Sequence, residues 1–109
     1  PACDALVVAG ENMDHADLIE FAVKRAKHVL VEKPLAASAD ERRRVAKAVG
    51  GSGVTLMTAF PCPFSPAFES ALAKIEQGEI GKVLAVCATN HGKCPFGWFV
   101  DQNKSGGAL

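Results

Sequence analysis

Lys33 is the residue of this 109-residue chain best placed for chemistry. It follows the apolar run His28-Val29-Leu30-Val31 and Glu32, and Pro34 locks the backbone behind it. A lysine at the carboxyl end of a strand puts a cation where an oxygen of a bound molecule can sit, and partial burial there favours the neutral amine. Proton transfer or polarisation of a substrate oxygen is the chemistry this suits. The loops Gly10-Glu11-Asn12 and Thr58-Ala59-Phe60 also follow apolar runs and are expected to converge on the same edge. A second pairing, His91 with Cys94, has the H-x-x-C spacing of two metal ligands. Two ligands do not close a zinc site, and Cys3, Cys62 and Cys87 lie far off in sequence, so no metal is expected.

The elements that must position these residues follow from periodicity. Ala5 to Ala9 has the pattern of a strand buried on both faces. Asp14 can cap a helix that turns Leu18, Ile19, Ala22, Val23 and Ala26 inward. His28–Val31 is the next strand. Ser38-Ala39-Asp40-Glu41 is a capping box opening a helix that buries Val45, Ala46, Ala48 and Val49, with Arg42-Arg43-Arg44 on its solvated side. Gly50-Gly51-Ser52-Gly53 ends that helix, and Val54 to Ala59 forms a third strand. Alternating strands and helices with short links predict a parallel sheet with right-handed crossovers.

The character changes near residue 60, at Phe60-Pro61-Cys62-Pro63-Phe64. Ser65 caps a helix with Pro66 in its first turn and with Phe68, Leu72 and Ile75 along one face. Val83 to Ala88 is expected to be a strand leading into a loop rich in Gly, Pro and aromatic residues.

Composition excludes several classes. Twelve Lys+Arg balance 12 Asp+Glu, which offers no field for gathering phosphates, so a general nucleic-acid binder is not expected. No apolar run has the length of a membrane helix. Hydrophobic residues make up 49% of the chain, enough for a core. Four cysteines without regular spacing suit a reduced, cytoplasmic protein better than a disulfide scaffold. The chain starts at Pro1 within a few residues of a strand and stops after Ser105-Gly106-Gly107-Ala108-Leu109, which begins something further. Both ends are expected to be cuts through a longer protein.

Lys27-His28-Val29-Leu30-Val31-Glu32-Lys33-Pro34-Leu35-Ala36 resembles the E-K-P signature of the glucose–fructose oxidoreductase/inositol dehydrogenase (Gfo/Idh/MocA) family. Asp4 to Ala9 followed by Asn12 and His15 is similar to that family's strand and T-P-N-x-x-H loop. Gln77 to Val83 resembles its G-x-I-G-x-V entry into a second domain, and Trp98, Asp101 and Ser105-Gly106-Gly107 resemble its W…D…GG segment.

The resemblance implies an α/β fold, with residues 1–60 the C-terminal part of an NAD(P)-binding Rossmann domain. Residues 61–109 would begin an α+β substrate and oligomerisation domain, with the parent a homo-oligomer. It implies hydride transfer between NAD or NADP and a sugar, cyclitol or related small molecule. Lys33 would be catalytic, with Gly10, Asn12, His15, Glu32, Lys33 and Pro34 against the cofactor and His91 and Trp98 toward the substrate. A glycine-rich phosphate loop is expected upstream and a catalytic Asp/His pair downstream, so the fragment alone would not turn over. An NAD-dependent glycosidase and a non-catalytic sensor on the same fold are the alternatives. The sequence also departs from the family pattern. Gly10-Glu11 stands where Thr-Pro is usual, setting a carboxylate near the cofactor edge, and Pro63 stands where an Arg is frequent. Arg25-Ala26 replaces a frequent Ala-Gly, implying a helix end without positive φ.

Overall fold

The computed structural model describes residues 3–89 and 91–107, so Pro1, Ala108 and Leu109 lie outside the described residues. The chain divides into two compact units, one of Pro1–Ala59 with Pro95–Leu109 and the other of Phe60–Cys94.

The first unit holds strands β1 (Ala5–Val8), β2 (His28–Val31) and β3 (Leu56–Thr58), with helices α1 (His15–Val23) and α2 (Ala39–Val49). The strands form one sheet in the order β1-β2-β3. Both pairings are parallel, with Val7 beside Leu30 and Leu30 beside Met57. All three carboxyl ends therefore lie on one edge, as the alternating pattern predicts.

Burial corrects the expectation that β1 is covered on both faces. The row Val7, Leu30 and Met57 stays exposed, Val7 at 74%. Two successive right-handed crossovers running in one direction across a sheet put both helices on the same side. The core forms on that side, from Val8, Ala16, Ile19, Ala22, Val29, Val31 and Val45. Leu18, Ala26 and Ala46, expected to point inward, are exposed, because the buried stripe of each short helix is narrower than its apolar content.

The helix ends show how local chemistry sets this framework. Ser38 Oγ accepts from the Glu41 amide at 3.2 Å, and Glu41 Oε2 accepts in return from the Ala37 amide at 2.9 Å. The capping box is therefore made, one residue upstream on its return arm. Asp14 holds the cap position of α1 but makes no side-chain cap bond, because a 3-10 turn, Asn12–Asp14, leads directly into the helix. On the outer side, Arg44 binds Asp17 at 2.6 Å and Glu20 at 3.0 Å, tying α2 to α1. Those hydrogen bonds, Asp17's foremost, raise the Arg44 guanidinium above its ordinary pKa.

The end of α1 overturns the reading of Arg25-Ala26. Ala26 has φ 52, in the left-handed region. Its amide donates to Val23 O at 2.9 Å and that of Lys27 to Ala22 O at 3.1 Å. This is the Schellman pattern, which satisfies the last carbonyls and normally recruits glycine. The turn geometry prevails over the Cβ. Because Ala26 is exposed, Ala26→Gly is expected to raise the unfolding free energy by about 1 kcal/mol, measured by denaturant titration.

The second unit contains α3 (Pro66–Glu76), capped by Ser65, whose Oγ accepts from the Phe68 amide. Gly78 at φ 74 closes its other end with the same hydrogen-bond pattern as Ala26. Val83 to Ala88, expected as a strand, has no ladder partner among the described residues, and its side chains lie exposed. An extended segment becomes a strand only by pairing.

Candidate active site

The edge is built from the loop after β1, the loop after β2 and the segment Pro95–Gly107, which folds against them. A cavity of about 200 Å³ opens among Ala9, Gly10, Asn12, Glu32, Lys33, Trp98 and Phe99. The structure thus brings together Gly10, Asn12, Glu32, Lys33 and Trp98. His91 belongs to the other unit.

The partial burial expected for Lys33 is not found: the side chain is exposed at the rim, because the loop after β2 turns it outward, and among the described residues no carboxylate lies within ion-pair distance of its ammonium. Its loop is held from several sides. Glu32 Oε2 accepts from the Lys33 amide at 3.1 Å, so the carboxylate folds onto the loop's own backbone. The Lys33–Pro34 peptide bond is cis, as a tight turn at this position suggests.

His15 is fully buried beneath the edge. Its Nδ1 lies 2.7 Å from Pro34 O and its Nε2 3.3 Å from Gly10 O. A carbonyl oxygen only accepts, so the shorter contact needs the proton on Nδ1. With that proton on Nδ1 the ring donates to Pro34 O and lies against Gly10 O without donating to it, touching the loops after β1 and β2 from below. His28 has a structural task, its Nδ1 accepting from the Thr55 amide at 2.9 Å.

Asn12 is buried at 7% exposure, and its Nδ2 donates to Ser105 O at 2.7 Å. Glu11 faces Lys104 Nζ at 3.9 Å, which places a cation beside the carboxylate that the sequence sets near this edge. Trp98, half-buried, stacks on Phe99 with centroids 3.9 Å apart and planes 20° from parallel. Sequence reasoning passed over Phe99, Ser105 and Gly106 as individual site residues. The adjacent aromatic pair was the available signal for Phe99, whereas the Ser105 contact runs through its backbone carbonyl and leaves no trace in residue type. Among the described residues no group of three or more His, Cys, Asp or Glu could hold a metal ion.

Loops gathered at the carboxyl edge of a parallel sheet, with helices returning on one side, define a Rossmann-type unit. Residues 1–60 match the model of an oxidoreductase family with an NAD-binding Rossmann fold. D-xylose 1-dehydrogenase (NADP(+)) 2 of Haloferax volcanii is 38% identical over 97% of this chain and 33% of its own length. The scyllo-inositol 2-dehydrogenase (NAD(+)) of Bacillus subtilis is 35% identical over 77% of this chain and 25% of its own. Among solved structures, the WlbA dehydrogenase of Bordetella pertussis in complex with NADH and UDP-GlcNAcA superposes with TM-score 0.67. It is 28% identical, with 74% of this chain and 23% of that one covered. The chain belongs to the Gfo/Idh/MocA oxidoreductase family. It spans about a quarter to a third of the length of these curated relatives.

The aromatic pair and the Lys33 ammonium at this cavity have the chemistry to meet an apolar face and an adjacent oxygen of a small molecule. Among the described residues no glycine-rich strand–loop–helix turn forms a cradle for a pyrophosphate. Gly50-Gly51-Ser52-Gly53 follows α2 and precedes β3, the reverse of the strand–loop–helix order such a cradle needs.

Proposed function

We propose that this chain is part of an NAD(P)-dependent oxidoreductase that moves a hydride between nicotinamide and a carbon bearing a hydroxyl or carbonyl. The substrate is a sugar, a cyclitol or a related small molecule. The observation that carries the proposal is the placement of Lys33 at the rim of a cavity shared with Gly10, Asn12, Trp98 and Phe99. The names of the relatives, a xylose dehydrogenase and an inositol dehydrogenase, support the substrate class.

When bound, the nicotinamide supplies the hydride acceptor or donor. Lys33 donates a hydrogen bond to the reacting oxygen and holds positive charge where negative charge gathers as the C–H bond breaks. Glu32 fixes the lysine loop. Trp98 and Phe99 present an apolar wall to the carbon face of a polyol, as aromatic rings commonly do at concave sites. His91 is assigned to the substrate side.

In this reading residues 1–60 belong to the dinucleotide-binding domain, and residues 61–109 open the substrate domain of a cytoplasmic homo-oligomer. Among the described residues no helix is long and apolar enough to cross a membrane. The test gives the full-length parent protein NAD⁺ or NADP⁺ and a panel of pentoses, hexoses and inositols, and follows the nicotinamide absorbance band. Reduction with at least one polyol is expected. Silence with both cofactors across the panel would overturn the dehydrogenase assignment.

A further inference from the structure

The segment Pro95–Gly107 belongs to the first unit and meets its edge at a backbone point on each of two loops. Asn12, in the loop after β1, donates to Ser105 O across 93 residues of sequence. Gly106 lies against Ala37, four residues beyond Lys33. A Cβ at Gly106 would stand 2.5 Å from Ala37 O and 3.0 Å from Ala37 Cα, so only glycine allows this approach. Gly106 also has φ 84 and ends the short helix α4 (Gln102–Ser105), its amide donating to Gln102 O at 3.0 Å. At the other end of that turn, Asp101 Oδ1 accepts from the Asn103 amide at 2.9 Å. The piece from Asp101 to Gly107 is thus internally hydrogen-bonded and seated on both loops, and Trp98 and Phe99 immediately precede it.

We propose that Asn12 and Gly106 are positioning residues. They seat the Asp101–Gly107 turn on the two loops and so hold the Trp98–Phe99 wall against Lys33, which sets the width of the cavity. Asn12 then acts on the substrate through the aromatic wall. That cavity width selects among polyols rests on the oxidoreductase reading; that the turn holds the wall does not.

Two readouts on the protein without cofactor or substrate decide the point. The first is native-state amide exchange at Ser105 and Gly106. The second is acrylamide quenching of Trp98, the single tryptophan of this chain, its signal identified by its loss in Trp98→Phe. Asn12→Asp keeps the shape of Asn12 but sets a carboxylate oxygen against Ser105 O. Gly106→Ala forces the turn off Ala37. Each is expected to speed exchange at Ser105 and Gly106 by about 5- to 100-fold, the scale of one buried hydrogen bond lost. Each is also expected to make Trp98 more accessible to the quencher, with β2 amides unchanged. Gly53→Ala is the control, because Gly53 has φ 74 and nothing within 4 Å of a Cβ, so it carries the backbone strain without the contact. It should alter neither readout. Should Asn12→Asp not fold, the smaller neutral Asn12→Ser takes its place with the same expectation. Faster exchange with unchanged Trp98 quenching would overturn the proposal, as would equal effects from Gly53→Ala and Gly106→Ala. A protein inert toward every polyol would instead sink the oxidoreductase reading and leave the turn's role standing.

Discussion

In the full-length parent, replacing Lys33 with Ala or Met is expected to lower kcat by about 10²- to 10⁴-fold, the usual contribution of one positioned proton-transferring or oxygen-polarising group. That range corresponds to about 3–5 kcal/mol of transition-state stabilisation. Cofactor affinity should change little, because the ammonium serves the reacting oxygen and makes no ion pair that the substitution would break. Single-turnover hydride transfer, followed at the nicotinamide band beside a cofactor titration, separates the two effects. Lys33→Arg should not restore the rate, since a planar guanidinium cannot take the place of a compact ammonium at one oxygen. Full turnover in Lys33→Met would remove Lys33 from the chemistry.

The second large effect concerns His15. His15→Phe keeps a ring of similar size and strips both nitrogens from beneath the edge, leaving Pro34 O and Gly10 O facing apolar carbon. Losing the one hydrogen bond that the Nδ1 proton makes to Pro34 O is expected to cost about 1–3 kcal/mol of stability. Urea denaturation of the variant and parent measures it directly. His15→Gln, whose amide can still donate toward one carbonyl, should recover part of the loss. Both variants should retain cofactor affinity while kcat falls in His15→Phe, because the ring acts by fixing the loop that carries Lys33. A variant as stable as the parent would mean that the bond to Pro34 O contributes nothing net. One that loses only cofactor affinity would make His15 a binding residue instead of a strap.

The starts of α2 and α3, the strand-helix alternation and the Lys33 turn were legible because each depends on residues a few positions apart. Ser38 and Glu41 meet within one turn, and Pro34 constrains its immediate neighbour. The end of α1 was not legible, although it is equally local. An alanine reveals nothing of a left-handed φ, and only the paired bonds from Ala26 and Lys27 expose it. The segment Val83–Ala88 failed for a different reason, since a strand needs a neighbour and an apolar alternation does not supply one.

By itself, then, the sequence determined the parallel β1-β2-β3 frame and the arrival of Gly10, Asn12 and Lys33 at one edge, because periodicity and short right-handed links leave few other arrangements. Tertiary structure alone decided what those residues do there. His15 went under the edge, Asn12 took Ser105 as its partner, and Phe99 joined Trp98 beside Lys33. The first two of these choices are made by burial across long stretches of chain, where a polar atom removed from water takes whichever partner the packing brings within reach.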